Sequence, residues 1–197
     1  MSLTLDPART ALLVMDYQPL LVTRIPDAAA QLGRVRTALD VVRRHGGHVG
    51  YVRVGFADED YPRVPEHSRF AATARQLGPA LHADAPGTQV HGDLAPREED
   101  MLVRKSRVGA FSTTDLDAHL RHRGIDTLAL AGFSTSGVVL STVREAADRD
   151  YRLVVLADGC ADPDPEVHAF LVNRILSTQA TIATVADLEP ALTADRG

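Results

Sequence analysis

The stretch Gly132-Phe133-Ser134-Thr135-Ser136-Gly137-Val138-Val139-Leu140-Ser141-Thr142 decides the fold. An apolar run, Leu128 to Leu130, leads into it, small and hydroxylated residues fill its middle, and helical spacing runs on from Val138 to Arg149. That succession reads as a strand passing through a tight turn into a helix. In open α/β sheets, ligands bind outside the carboxyl ends of the strands, where such a corner lies. The first helical turn also carries backbone N–H groups without a helical partner, which suits an anion or a developing negative charge.

Outward from this corner the same alternation repeats. Thr10 to Tyr17 is an apolar run ending in Asp16, the pattern of a strand buried on both faces. Asp27 is placed to cap a helix to about His45, with Leu32, Val35, Leu39 and Val42 on one face, and His48 to Val54 reads as the next strand. Residues 55 to 100 are irregular, with a short helix expected from Ser68 to Leu77 and a brief strand from Thr88 to His91, and read as a pocket cover. Met101 to Lys105 is a third strand. Ser112 is placed to cap a helix from Thr113 to Arg123, and Thr127 to Phe133 is the fourth strand. Arg152 to Ala157, a helix from Pro165 to Ser177, a strand from Thr181 to Val185 and a short helix from Leu188 to Leu192 complete the chain. Alternating strands and helices imply a three-layer α/β/α domain around a parallel sheet.

The 197 residues, 45% of them hydrophobic, suit a single domain spanning 1–197. A net charge of −5 with scattered arginines argues against a nucleic-acid partner. The start carries no basic segment and the apolar run from Ala11 to Met15 is too short for a signal peptide or a membrane span, so a soluble, cytoplasmic protein without membrane attachment is expected. Of 21 basic side chains only Lys105 is a lysine, a point charge on a flexible stem where every other is a fixed fork.

Asp16 ends a buried strand, where a carboxylate is expensive unless paired or protonated and where catalytic acids and bases are found. Lys105, also at a strand end, is its natural counter-charge: an ammonium lowers the carboxyl pKa and burial raises it. Cys160, the single cysteine, lies in Asp158-Gly159-Cys160-Ala161 and reads as a small buried residue in a turn rather than a nucleophile. Asp115, His119 and His122 have metal-compatible spacing on a helix but fall on its polar face, and Asp58-Glu59-Asp60 reads as a solvated loop.

Three motifs resemble the isochorismatase-like hydrolases, a superfamily that includes nicotinamidases, N-carbamoylsarcosine amidases and isochorismatase. They are Leu12-Leu13-Val14-Met15-Asp16-Tyr17-Gln18, Lys105 with Gly109-Ala110-Phe111, and Gly132-Phe133-Ser134-Thr135 running into Val139, Thr142 and Ala146. The resemblance implies a six-stranded parallel sheet ordered 3-2-1-4-5-6, a homodimer or homotetramer and a small-molecule substrate. It also implies a non-proline cis peptide at Phe133–Ser134. Asp16 and Lys105 fall on the first two members of the family's Asp-Lys-Cys set. The register fixed by Thr135, Val139, Thr142 and Ala146 puts Val138 where the thiol belongs. The family's metal-binding Asp-x-His after strand two is replaced by Arg53-Val54-Gly55-Phe56, so neither metal nor other cofactor is expected. Gln18, Phe111, Phe133, Ser134, Gly137 and Val138 become candidate substrate contacts, with Leu21, Phe56 and Tyr61 added from the pocket cover. Ser134 and Ser136 are poor substitute nucleophiles, being off the position the pattern aims at the substrate.

The function that follows is a hydrolase without a cysteine nucleophile, Asp16 serving as general acid or base in cleaving a vinyl ether or related C–O or C–N bond. The alternative is an inactive relative that binds a small molecule or acts as a scaffold.

Overall fold

The computed structural model describes residues 3–193; the ends of the 1–197 span lie outside the described residues. Six strands, β1 (Thr10–Met15), β2 (His48–Val54), β3 (Met101–Lys105), β4 (Thr127–Phe133), β5 (Arg152–Ala161) and β6 (Thr181–Ala183), form one sheet in the order β3-β2-β1-β4-β5-β6. Every pairing is parallel. Successive side chains of a strand point to opposite faces, and both faces here are covered. Leu12, Val14, Ala129, Ala131, Val154 and Leu156 face one layer, and Leu13, Met15, Val103, Leu128, Leu130 and Val155 face the other.

The helices are α1 (Pro19–Val22), α2 (Ala28–Arg44), α3 (Arg69–Leu77), α4 (Leu116–His122), α5 (Leu140–Asp148), α6 (Pro165–Phe170) and α7 (Leu188–Thr193). Helix α2 buries Leu32, Val35, Leu39 and Val42, the stripe its spacing predicts. Strands run outward from β1 in both directions, so strand order reverses between β1 and β4. A crevice opens at their carboxyl ends, which is the switch point where such folds bind ligands. Among the described residues no helix is long and apolar enough to cross a membrane.

Several boundaries differ from the sequence reading. Asp27 sits at φ 53 and makes no side-chain cap, and Gln31 N–H is held instead by its carbonyl. Ser112 does not cap α4: Thr113 turns through φ 63, Thr114 Oγ1 accepts from Leu116 N–H, and the helix begins only at Leu116. Thr88–His91 forms no strand, because residues 86–88 tighten into a 3₁₀ turn. Strand β5 runs on past Ala157 to Ala161. Its register jumps from Leu130↔Val155 to Gly132↔Cys160, a bulge that the bend-prone Asp158-Gly159 pair accommodates.

Candidate active site

Asp16 follows β1 directly and takes φ 60, a left-handed conformation uncommon outside glycine. Its backbone is held there by two hydrogen bonds. Asp16 N–H donates to Val52 O at 2.8 Å, and Asp16 O accepts from Gln18 N–H at 2.9 Å. The chain thus leaves the sheet at Asp16 and turns its carboxylate toward the end of β3. There Lys105 Nζ lies 2.8 Å from Asp16 Oδ2, with both side chains buried.

An ammonium has three N–H bonds to give. Lys105 places one on Asp16 and the others on Arg107 O (3.1 Å) and Val108 O (3.0 Å). Its donors are therefore fully used, and none is left for a substrate. Asp16 is the opposite case: its Oδ1 is buried and has no hydrogen-bond partner. Burial pushes the carboxyl above the usual carboxylate range, outweighing the pull of the adjacent Lys105 ammonium. Asp16 Oδ1 is thus an unpartnered oxygen on a carboxyl whose proton is held more tightly than that of an ordinary aspartate.

The corner after β4 forms the facing wall. The Phe133–Ser134 peptide is cis, and residues 135–139 form a wide helical turn before α5 begins. Gly132 is required by close packing: a Cβ there would lie 2.9 Å from Val139 Cγ2 and 3.2 Å from Met15 Cβ. The corner's N–H groups are less open than the sequence suggests. Ser136 N–H donates to Asp162 Oδ2 at 2.8 Å, Gly137 N–H to Ser134 Oγ at 3.1 Å, and Val139 N–H to Ser134 O at 3.2 Å. Capping by Ser134 and Asp162 thus removes these three from any oxyanion role. Thr135 is fully buried, its hydroxyl 2.8 Å from His168 Nδ1, and Ser136 is outside the cleft.

Asp16 and Lys105 line a cleft of about 210 Å³ together with Phe133, Ser134, Gly137 and Val138 of the corner and Leu21 of α1. Seven sequence-predicted positions are thereby brought together. The other four lie elsewhere. Gln18 is buried and spends its amide on backbone, donating to Val54 O and Thr88 O and accepting from Val54 N–H, so it ties β1's exit to β2. Phe56 is fully buried behind the cleft, its ring 5.1 Å from Tyr61 and 5.9 Å from Phe70. Tyr61 shares a separate hollow with Phe56 and gives its hydroxyl to Gly78 O. Phe111 packs under the sheet against Tyr151, with ring centres 5.9 Å apart.

The remaining wall comes from residues the sequence reading left unassigned. Phe70, Thr73 and Leu77 of α3 line it, and so do Arg24, Val54, Leu81, Val108 and Pro163. The α3 residues carried a signal: positions 70, 73, 74 and 77 make one helical face. Arg24 carried none.

Cys160 is not in the cleft. It lies within β5, buried among the residues between the sheet and α5, its thiol 3.6 Å from Leu130 O and its pKa pushed up to about 12 by burial. Its expected place in a turn is corrected by the extension of β5 across the bulge. His119 pairs with Asp115 at 3.0 Å on α4, and no group of three or more His, Cys, Asp or Glu among the described residues is arranged to hold a metal.

The architecture and the strand-end pair define a class, and comparison with known proteins names it. The isochorismatase domain model matches residues 10–187, and the chain belongs to the isochorismatase family. The ureidoacrylate amidohydrolase RutB of Agrobacterium fabrum is 30% identical over 94% of this chain and 90% of its own. An isochorismatase family protein from Burkholderia thailandensis superposes with a TM-score of 0.84 at 26% identity, over 98% of this chain and 100% of that one. N-carbamoylsarcosine amidase from Thermoplasma acidophilum superposes at 0.72 with 25% identity, over 96% and 99%. The family to which this fold and pair belong is one of hydrolases, with amidohydrolases among its members.

Proposed function

We propose that this chain hydrolyses a C–O or C–N bond of a small molecule without a cysteine nucleophile, with Asp16 as the acid–base group. The observation that carries the reading is Asp16 Oδ1, unpartnered at the floor of the cleft beside a lysine whose three donors are already spent. Val138 lines the cleft where the family pattern sets a thiol, and the single thiol of the chain is inside the sheet, held protonated. A protonated, buried thiol is a poor nucleophile.

For an enol ether the sequence of events balances simply. Protonated Asp16 gives its Oδ1 proton to the terminal alkene carbon, and the π pair forms the new C–H bond. Water adds to the oxocarbenium carbon and returns a proton to the Asp16 carboxylate, and the hemiacetal collapses to a carbonyl compound and an alcohol. Lys105 is a positioning residue in this scheme, fixing Oδ2 so that Oδ1 faces the cleft. The raised carboxyl pKa favours this acid role. The RutB and N-carbamoylsarcosine amidase relatives favour a second reading, in which the Asp16 carboxylate takes a proton from water attacking an amide or urea carbonyl.

A panel of enol ethers, amides and ureas assayed across pH separates the two. The acid route loses kcat/KM as pH rises through the Asp16 pKa, and the base route gains it over the same interval. Absence of turnover of every class, with ligand binding unchanged in Asp16→Asn, would leave a binding protein instead.

A further inference from the structure

The cleft is uneven in charge. At its floor Lys105 Nζ is held 2.8 Å from Asp16 Oδ2 and gives its other donors to backbone carbonyls. On its side wall Arg24, just after α1, presents an exposed guanidinium for which the described residues supply neither a carboxylate nor a hydrogen-bond acceptor. Three arginines of neighbouring segments are engaged, Arg104 with Asp60, Arg53 with Ala83 O and Thr88 O, and Arg107 with Ser106 O and Arg63 O, and none of these lines the cleft. Asp16 is the one acid among the described lining residues. Much of the remaining lining is apolar, with Leu21, Phe70, Leu77 and Leu81 beside the hydroxyls of Thr73 and Ser134.

We propose that Arg24 reads a carboxylate on the substrate. The substrate class is then a small molecule with its labile bond at Asp16 Oδ1, an apolar body and a carboxylate for Arg24. The cleft volume of about 210 Å³ suits a small molecule. The guanidinium fork matches a carboxylate by two parallel N–H···O bonds, whereas Lys105 has no donor to offer. A protein of net charge −5 repels anions over most of its surface, so an unpaired cation in the cleft selects locally for what the whole molecule disfavours.

This inference rests on the assignment of the cleft as the reaction site, and its test is a binding measurement that needs no turnover. Benzoate and benzamide share size and shape and differ in charge. Their dissociation constants are measured by calorimetry on wild type, Arg24→Gln, Arg24→Lys and, as a control for the lost charge, Arg36→Gln on the exposed face of α2. Wild type and Arg36→Gln bind benzoate at least about tenfold tighter than benzamide, and the preference shrinks with added salt. Arg24→Lys keeps part of that preference and Arg24→Gln abolishes it. Equal affinities on wild type, no benzoate binding at millimolar concentration, or a preference that survives Arg24→Gln overturns the proposal. Equal affinities of wild type for the two probes, with Asp16-dependent turnover intact, reject the role of Arg24 alone. Discrimination intact without turnover rejects the chemistry alone.

Discussion

Lys105 is where the composition of the chain and its chemistry meet. Twenty of 21 basic side chains are arginine, yet this buried position holds the exception, and the count of donors explains it. Three acceptors surround Nζ, and an ammonium satisfies them with nothing left over. A guanidinium would bring five donors to the same three acceptors. Each buried, unsatisfied donor costs about 1–3 kcal/mol. Lys105→Arg is therefore expected to lower stability by a few kcal/mol in urea unfolding and to abolish turnover, although it conserves charge. Asp16 supplies a complementary prediction. Its folded-state pKa is raised above the unfolded value, so the stability it contributes is present at low pH and is lost as pH rises through the folded value. Asp16→Asn keeps an oxygen for Lys105 but cannot titrate. Urea unfolding from about pH 4 upward should show wild type losing stability relative to Asp16→Asn, at about 1.4 kcal/mol for each unit by which the pKa is raised.

At the scale of elements, strands and most helix starts were legible, with α2, α6 and α7 beginning at Ala28, Pro165 and Leu188 as the sequence indicates, whereas the caps and the start of α4 were not. Strands β2, β3 and β4 run over the predicted residues because each is a continuous apolar or alternating segment bounded by polar or glycine residues. Whether a side chain caps depends on the backbone conformation around it, which residue type constrains weakly. Asp27 and Ser112 looked like caps, but left-handed turns at Asp27 and Thr113 redirected the chain. The bulge that carries Cys160 into β5 is likewise a tertiary event, a register jump against β4. In the corner the glycines carry the argument. Gly132→Ala drives a Cβ against Val139 and Met15, and thermal unfolding should register a loss of roughly 1–3 kcal/mol, with turnover falling as the corner shifts.

For the whole molecule, topology is what turns separate strand ends into one site. Strands β1 and β3 are two places apart in the sheet, roughly 9–10 Å at the usual spacing, with β2 between them. A long lysine stem from β3 and a carboxylate from the turn after β1 meet across that interval, over the end of β2 where Val54 lines the cleft. Periodicity alone carried the alternation of strands and helices. Strand order came through resemblance of motifs, because spacing along a chain does not say which strands are neighbours. The cover contributed by α3 stayed hidden for a related reason: its residues face the cleft only once the irregular 55–100 segment has folded over the strand ends. Reaction through Asp16 and without a thiol is tested by the turnover of Cys160→Ala beside that of Asp16→Asn on the panel substrate that wild type hydrolyses. Cys160→Ala is expected to stay within a few fold of wild type, while Asp16→Asn falls by about 10²–10⁴, the usual contribution of a general acid or base. Loss of activity in a folded Cys160→Ala, or its survival in Asp16→Asn, would contradict reaction by this route.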